Sequence, residues 1–243
     1  MIDLTSRQIQ ILKAVIEEYL KTAEPIGSDT IDRKFNLGVS PATIRSELAY
    51  LGDQGYLKQP HSSAGRVPTP MALKLYVQEL MNKKDLSVAD EVSVKERMWE
   101  SRHKFDSMLH EATRVLSERA QSVGVAVTAD HQAFHSGYSH LLSIPEFEDL
   151  DVARTVFQLL EETRQLESIF LRDWGGDMVH MVFGGDLGNR YLEPVGILFT
   201  EFQCADQRCM LGVIGSSRID YAYMIPFLEY MHGLLEEFHP SLS

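Results

Sequence analysis

The chain has 243 residues, of which 44% are apolar and 24% charged, with two cysteines and a formal net charge of −12. No stretch approaches the roughly 18 uncharged apolar residues of a membrane span. The N-terminal segment MIDLTSRQIQ lacks the apolar core of a secretory signal, and two cysteines do not make a disulfide framework. Composition therefore argues against a membrane protein or a disulfide-stabilised scaffold, and predicts a cytoplasmic protein with a sizeable core.

The acidic residues are concentrated in the second part of the chain. Residues 1–84 carry 11 Lys and Arg against 9 Asp and Glu, a net charge of +2, whereas residues 85–243 carry 12 against 26, a net charge of −14. Within 54–84 there are five basic residues and one acidic residue. A nucleic-acid partner is thus compatible with the first part only, and a two-part molecule is indicated.

The first segment predicts two short helices. Thr5, followed three residues later by Gln8, forms a capping-box pattern, and apolar residues at helical spacing then predict a helix near 5–21. The TAEPIG segment ends this helix, because its proline cannot continue it. Ser28 is expected to cap a second helix, which ends at 36–38.

A third helix is expected to begin after Ser40, with Pro41 at the first helical position. Ile44, Leu48 and Leu51 form its apolar stripe. The far side carries mostly small residues, with one guanidinium on the flank: Ala42, Thr43, Ser46, Ala49, Tyr50 and Arg45. A helix that faces only water usually carries Lys and Glu there, whereas a helix in a major groove about 12 Å wide needs short side chains and hydroxyl groups.

A hairpin and a fourth helix follow. Residues 56–59 are expected to form a strand, PHSSAG a tight loop, and 66–68 the return strand. Thr69 is expected to cap the fourth helix, with Pro70 in its first turn. Three helices followed by a small hairpin are typical of a winged helix-turn-helix domain.

The loop of this hairpin carries groups that bind phosphates. Ser62 and Ser63 can donate hydrogen bonds, Gly65 allows close backbone approach, and Arg66 supplies a positive charge. Winged helices also serve as protein-docking modules, so a ligand- or protein-sensing regulatory module remains the alternative interpretation. A salt-dependent preference for palindromic over random duplex DNA would separate the two functions.

The second part is expected to begin with a linker or helix start at 83–96 and a long helix at 97–121. Four apolar positions in that helix follow a 4-3-4 spacing: Phe105, Leu109, Ala112 and Leu116. The spacing fits an intermolecular coiled coil, which two-fold DNA sites would favour, but also one helix packed on its own domain.

The remaining pattern predicts an α+β domain. The Val-rich segment 122–129 alternates like a strand. Further expected elements are a helix at 151–172, strands at 178–183, 194–202 and 208–214, and a last helix at 218–235 that ends before Pro240. Helices beside a mainly antiparallel sheet form this class of domain.

Other polar clusters do not favour catalysis or metal binding. His131, His135 and His140 crowd one segment without a carboxylate or cysteine at a familiar spacing, so surface histidines are favoured over a metal site. Cys204 and Cys209 flank ADQR and are interpreted as sheet residues rather than a redox switch. Neither a nucleophile–base signature nor a phosphate-binding glycine motif is found. We therefore expect no enzyme, metal or cofactor, and leave an effector pocket open.

Three long segments of the sequence resemble segments of a known protein family. LTSRQIQILKAVIEEYLKTAEPIGSDTI, LGVSPATIRSELAYLGDQGYLKQPHSSAGRVPT and GVIGSSRIDYAYMIPFLEYM resemble the HrcA family of heat-inducible transcription repressors, and SIPEFEDLD is similar to a further family segment. The resemblance implies a winged helix-turn-helix domain at 1–82, a linker and possible dimerisation helix at 83–121, and a truncated GAF-like α+β domain at 122–243.

The resemblance also implies partners and site residues. It implies a homodimer on a double-stranded, inverted-repeat operator ahead of chaperone operons, under the influence of the chaperonin GroE. By motif match the DNA-binding residues are Ser40, Ala42, Thr43, Arg45, Ser46, Tyr50, His61, Ser62, Ser63, Gly65 and Arg66. Family members are usually longer, and the shortfall falls between Ala129 and Ser136, so an inserted domain is expected to be absent.

Overall fold

The computed structural model describes residues 4–170, 172, 174–204 and 207–238. The chain divides into two compact units, an N-terminal unit, Met1–Asn82, and a C-terminal unit, Lys83–Ser243. Each unit has its own set of buried apolar side chains and is described by itself.

Three helices open the N-terminal unit: α1 (Ser6–Thr22), α2 (Ser28–Phe35) and α3 (Pro41–Asp53). The capping box predicted for α1 is confirmed, because Gln8 N donates to Thr5 Oγ1 at 3.3 Å and Thr5 N donates to Gln8 Oε1 at 2.8 Å. These two bonds satisfy backbone donors that the first turn of a helix leaves without partners.

The start of α2 differs from the prediction. Gly27, with φ −95° and ψ 164°, is the N-cap and makes no side-chain capping bond. Ser28 is instead the first helical residue; it is 8% exposed, and its hydroxyl bonds to Asp29 Oδ1 at 3.4 Å. The prediction that Ser28 caps α2 is wrong because its hydroxyl donates to a side chain rather than accepting from the backbone.

A two-stranded antiparallel hairpin follows α3. β1 (Leu57–Lys58) pairs with β2 (Val67–Pro68), and both are shorter than the predicted strands. Ile26 extends the ladder from the segment before α2, since Ile26 N donates to Arg66 O at 2.8 Å and Arg66 N donates to Ile26 O at 2.9 Å. The hairpin is therefore fastened to the α1–α2 connection.

The fourth helix completes this unit. Thr69 caps α4 (Pro70–Leu75) as predicted, and the helix continues as a π-helical turn, Tyr76–Leu80. The core side chains are at most 4% exposed: Ile11, Leu12, Val15, Ile16, Ile31, Ile44, Leu48, Leu51 and Leu73. Burial of a side chain of this size stabilises the fold by about 1.5–3 kcal/mol. The apolar stripe of α3 thus faces inward and its far side remains at the surface.

In the C-terminal unit, the helix predicted at 97–121 is two helices. α5 (Val88–Ser101) begins earlier than predicted because Ser87 caps it, and α6 (Phe105–Ala120) follows after Lys104. Lys104 has an extended backbone, with φ −130° and ψ 111°, which no α-helix accommodates. Most of the polar segment predicted to be a linker or a helix start is therefore helical.

A five-stranded antiparallel sheet forms the centre of this unit. Its strands are β3 (Val123–Thr128), β4 (Ala133–Ser136), β5 (Val179–Phe183), β6 (Val195–Cys204) and β7 (Gln207–Ser216), in the order β4-β3-β7-β6-β5. The four predicted strands are present with bounds shifted by one or two residues. β4 was not predicted; it pairs with β3 in a hairpin at the position where the family's extra domain was expected to be missing.

Four helices accompany α5 and α6: α7 (Tyr138–Leu141), α8 (Leu150–Glu161), α9 (Thr163–Phe170) and α10 (Tyr221–Phe238). The single helix predicted at 151–172 is broken at Glu162, whose φ of −100° and ψ of 84° end α8. α10 contains Pro226 within it, and Pro240, which was expected to follow it, lies outside the described residues. Among the described helices, none is both long and apolar enough to span a membrane.

The apolar seam proposed for a coiled coil is buried within the unit. Leu109, Ala112 and Leu116 are each 0% exposed. β3 lies so close to α6 that a Cβ added at Gly124 would stand 2.0 Å from Thr113 O. α6 thus packs on its own sheet through these side chains, which favours the second of the two interpretations of the 4-3-4 spacing.

Candidate nucleic-acid interface

The first turn of α3 is built around two hydroxyl groups. Ser40 Oγ accepts a hydrogen bond from Thr43 N at 3.2 Å, as predicted for an N-cap, and lies 3.0 Å from Thr43 Oγ1. Pro41 occupies the first helical position, where no N–H is required. Ser40 is exposed and Thr43 is half-buried. A ligand that bound at this turn would share the two hydroxyl groups with the hydrogen bonds that they already make.

The outer face of α3 is exposed and carries mainly small side chains. The exposed residues on this face are Ala42, Arg45, Ser46, Ala49 and Tyr50. Tyr50 is 39% exposed, although it is a large aromatic residue. The buried stripe of Ile44, Leu48 and Leu51 holds this face outward, so it can approach a ligand without displacing core side chains.

A contact that sequence reasoning missed holds α3 against α1. Gln8 completes the capping box of α1 and also donates from Nε2 to Glu47 Oε2 at 3.0 Å. One side chain thus closes the first turn of α1 and fixes the middle of α3. The capping-box spacing points to Gln8, but nothing local indicates its second partner, 39 residues away.

The wing loop, residues 59–66, connects β1 to β2. His61, Ser62 and Ser63 are exposed at its tip. His61 Nδ1 lies 3.2 Å from Ser63 Oγ, and Ala64 N donates to His61 O at 2.9 Å. The tip is therefore a hydrogen-bonded turn whose hydroxyl and imidazole groups are at the surface.

Gln59, which was not among the predicted site residues, organises this loop. Its Nε2 donates to Ser62 O at 3.1 Å and to Ala64 O at 2.8 Å. A carboxamide nitrogen has two donor hydrogens, so both are used within the loop. Gln59 is apparent in the sequence as the glutamine of GYLKQPH. The turn geometry that places its side chain against the loop carbonyls cannot be inferred from the sequence.

Arg66 lies at the base of the wing loop rather than at its tip. Its backbone pairs with Ile26, and its guanidinium packs over the last turn of α3, where a Cβ added at Gly52 would stand 2.4 Å from Arg66 Nη1. A cation near the C-terminal end of a helix is favourable because the last carbonyls carry partial negative charge. The predicted positive charge of the wing is thus next to α3.

Gly65 is required by the fold itself. A Cβ at this position would stand 2.5 Å from Ile26 C and 2.7 Å from Pro25 C, and both atoms belong to the backbone. The close approach predicted for Gly65 is therefore made to the chain's own α1–α2 connection. All eleven predicted residues lie on α3 and its cap or on the wing loop, and Arg66 joins the two elements.

The family comparison concerns most of the chain. The model described as "HrcA protein C terminal domain" matches residues 71–225, which is more than half of the 243 residues. This chain belongs to the HrcA family.

Curated members of the HrcA family match at several lengths. The "Heat-inducible transcription repressor HrcA" of Clostridioides difficile is 44% identical over 126 residues, which are 52% of this chain and 37% of that protein. The protein of the same name from Carboxydothermus hydrogenoformans is 34% identical over 200 residues, or 82% of this chain and 53% of that protein. In these two cases the match spans about half of the relative or less. The Geobacter sulfurreducens protein is 24% identical over 97% of this chain and 98% of its own length.

A solved structure shares the fold. The protein described as "Crystal structure of a hypothetical protein at 2.2 A resolution" superposes with a TM-score of 0.77 and 16% identity, over 99% of this chain and 100% of that chain. This likeness supports the arrangement of helices and sheet seen in this HrcA-family chain.

The three histidines of segment 131–140 lie on different elements. His131 lies in the β3–β4 turn with φ 67°, and its Nδ1 is 2.7 Å from Glu167 Oε1. His135 is on β4, so the i, i+4 spacing is not that of one helix face. No group of three or more His, Cys, Asp or Glu side chains among the described residues is arranged to hold a metal ion.

Both cysteines, Cys204 and Cys209, are buried. Cys209 lies on β7 opposite Phe202 of β6. Burial raises the pKa of Cys209 to about 12, with the neighbouring Cys204 contributing in the same direction. Because the thiolate is the reactive form, this environment does not favour a redox switch at Cys209.

An open groove of about 840 Å³ lies on α5 and α6 of the same unit. Charged side chains that pair with one another line it. Arg97 bonds Glu118 Oε2 at 2.5 Å and Glu111 Oε1 at 2.8 Å, and Arg114 bonds Glu111 Oε2 at 3.2 Å. Sites for small ligands are mostly enclosed and apolar, with few polar groups, and this groove has neither property.

Proposed function

We propose that the N-terminal unit is a winged helix-turn-helix domain that binds duplex DNA, and that the chain is a sequence-specific transcriptional repressor. The observation that supports this most strongly is the contact between α3 and the wing loop. The Arg66 guanidinium packs over Gly52, so an exposed face of small residues and a polar, glycine-containing loop belong to one surface.

The charge distribution supports DNA binding by the N-terminal unit. Residues 1–82 carry 9 Lys and Arg against 9 Asp and Glu, a net charge of 0, whereas residues 83–243 carry 14 against 26, a net charge of −12. A phosphate backbone is repelled by an acidic surface and attracted by Lys and Arg. The C-terminal unit is therefore assigned a regulatory or assembly role, consistent with a GAF-like domain, and no catalytic step or cofactor is assigned to it.

Individual roles follow from the geometry of α3 and the wing loop. With α3 in the major groove, Arg45, Ser46 and Tyr50 on its exposed face contact bases or phosphates, and Ser40, Ala42 and Thr43 lie at the helix end that enters the groove. His61, Ser62, Ser63 and Gly65 of the wing loop contact the backbone of the duplex, and Arg66 reaches a phosphate between the two elements.

Repression requires occupation of an operator. We propose two copies of the chain on an inverted repeat, because two-fold DNA sites are matched by two-fold proteins. The names of the curated relatives support control of heat-inducible genes. The chaperonin GroE is carried over from the family resemblance as a regulatory partner.

Selection from a pool of randomised duplexes, with the full chain as bait, tests the proposal. We expect recovery of an inverted repeat, and affinity that falls steeply as salt increases. Ser46→Ala should change the preference at one base position by about 1–3 kcal/mol. Lys21→Ala, at an exposed basic residue in the last turn of α1, is the control and should change neither quantity. Absence of any preferred duplex would reject the proposal and favour the protein-docking alternative.

A further inference from the structure

We propose that Gln59 is the positioning residue of the wing loop, and that it shapes the loop into a phosphate-binding site made of backbone N–H groups. This inference rests on the proposed DNA-binding function. Gln59 is not among the predicted DNA-contacting residues, and its proposed role is to orient the groups that touch the duplex.

Both donor hydrogens of the Gln59 carboxamide are committed to the loop. They bond the carbonyl oxygens of Ser62 at 3.1 Å and Ala64 at 2.8 Å. Because both donors are used, Gln59 cannot itself donate to a phosphate oxygen while the loop keeps this form. Its contribution to DNA binding is therefore indirect.

The orientation of two peptide groups follows from these bonds. The described residues contain no cis peptide bond, and in a trans peptide the C=O and the following N–H point in opposite directions. Since the carbonyls of Ser62 and Ala64 face Gln59, the N–H groups of Ser63 and Gly65 face away from it. No acceptor for either N–H is found among the residues that the structure describes, whereas Ala64 N already bonds His61 O.

Two N–H groups that face away from Gln59, with a nearby hydroxyl, suit an anion. Successive backbone donors bind phosphate oxygens without a charged side chain, and the exposed Ser63 hydroxyl adds a third donor. Pairing the two carbonyls with Gln59 also points their partial negative charges away from the two N–H groups. The ligand is a phosphodiester of the DNA backbone, so this contact adds affinity but carries no sequence information.

The full chain with Gln59→Ala tests this role, with Gln78→Ala as the matched control at another exposed glutamine of the same unit. Two probes are used: the duplex recovered by selection and a random duplex of equal length. We expect Gln59→Ala to bind both about tenfold more weakly, with an unchanged salt dependence, because uncharged N–H donors release no counterions. Gln78→Ala should bind like the wild type.

The second measurement is made on the free protein well below its unfolding temperature. Backbone ¹⁵N order parameters of residues 61–65 should fall below about 0.6 in Gln59→Ala and stay high in the control. Unchanged affinity in Gln59→Ala, with a wild type that still binds DNA, would overturn this inference alone. Weaker binding with an unchanged loop would also overturn it, because Gln59 would then act by direct contact. A wild type that binds neither probe would overturn the proposed function as well.

Discussion

Gly65→Ala should destabilise the N-terminal unit, and the structure gives the reason. The added Cβ would stand 2.5 Å from Ile26 C, 2.7 Å from Ile26 O and 2.7 Å from Pro25 C. These are backbone atoms, which cannot rotate away as a side chain can. The wing loop must therefore separate from the α1–α2 connection.

The cost of that separation can be built from the contacts that it breaks. The two bonds between Ile26 and Arg66, at 2.8 and 2.9 Å, each contribute about 0.5–1.5 kcal/mol. Ile26 is 2% exposed, and partial exposure of its side chain adds a similar loss. We expect a decrease of about 2–4 kcal/mol in the free energy of unfolding of this unit.

Native-state hydrogen exchange of the full chain measures this decrease. The slowest amides of α1 report the stability of the unit, and the amides of Ile26 and Arg66 report the bridge. Gly52→Ala is the matched control, because its added Cβ meets only the mobile end of Arg66, 2.4 Å from Nη1. We expect the control to keep or gain stability, by up to about 1 kcal/mol from helix propensity. Equal stability of Gly65→Ala and wild type would refute the account of this contact.

Three further outcomes are expected. Arg66→Ala should weaken binding to all duplexes about equally and reduce the salt slope by about 1, measured by fluorescence anisotropy. Burial lowers the pKa of His135 from its ordinary value of 6.5. The unfolded state therefore binds the proton more readily, and the stability of the fold decreases as pH drops below 6.5. His135→Phe should flatten this part of a pH–stability curve. Burial acts to raise the pKa of Glu146, but hydrogen bonds from Arg218 and Ser216 outweigh it and hold the pKa below 4.5. The contribution of the Glu146 carboxylate to stability is therefore present above that pH and is lost as the pH falls further. Glu146→Gln should cost about 3 kcal/mol at pH 7 in denaturant unfolding and weaken the acid dependence.

Local chemistry explains what the sequence predicted well. The caps at Thr5, Ser40 and Thr69 depend on residues within three positions of one another, and all three are confirmed. The four strands predicted for the C-terminal unit are likewise recognisable from the pattern of apolar residues over a short segment. Such features need no knowledge of distant contacts.

The failures concern choices that tertiary packing makes. The 4-3-4 spacing on α6 fits a second helix or a sheet equally well, and only the closeness of Gly124 to Thr113 shows that the sheet is the partner. β4 was missed because Ala133–Ser136 is short and becomes a strand by pairing with β3. The breaks at Lys104 and Glu162 also lack a proline or glycine that would mark them.

The candidate site shows the same division between local and distant information. Ser63, Gly65 and Arg66 were predicted to contact DNA, but Gly65 and the Arg66 backbone fasten the wing loop to Ile26. That attachment fixes where the loop begins and ends, and Gln59 then fixes how its carbonyls point. The groups left for a duplex are therefore the side chains at the tip, the N–H groups that face away from Gln59 and the guanidinium over α3. A loop held by these hydrogen bonds loses less conformational entropy when it binds a phosphate than a loop without them, so residues that do not touch DNA should control its affinity.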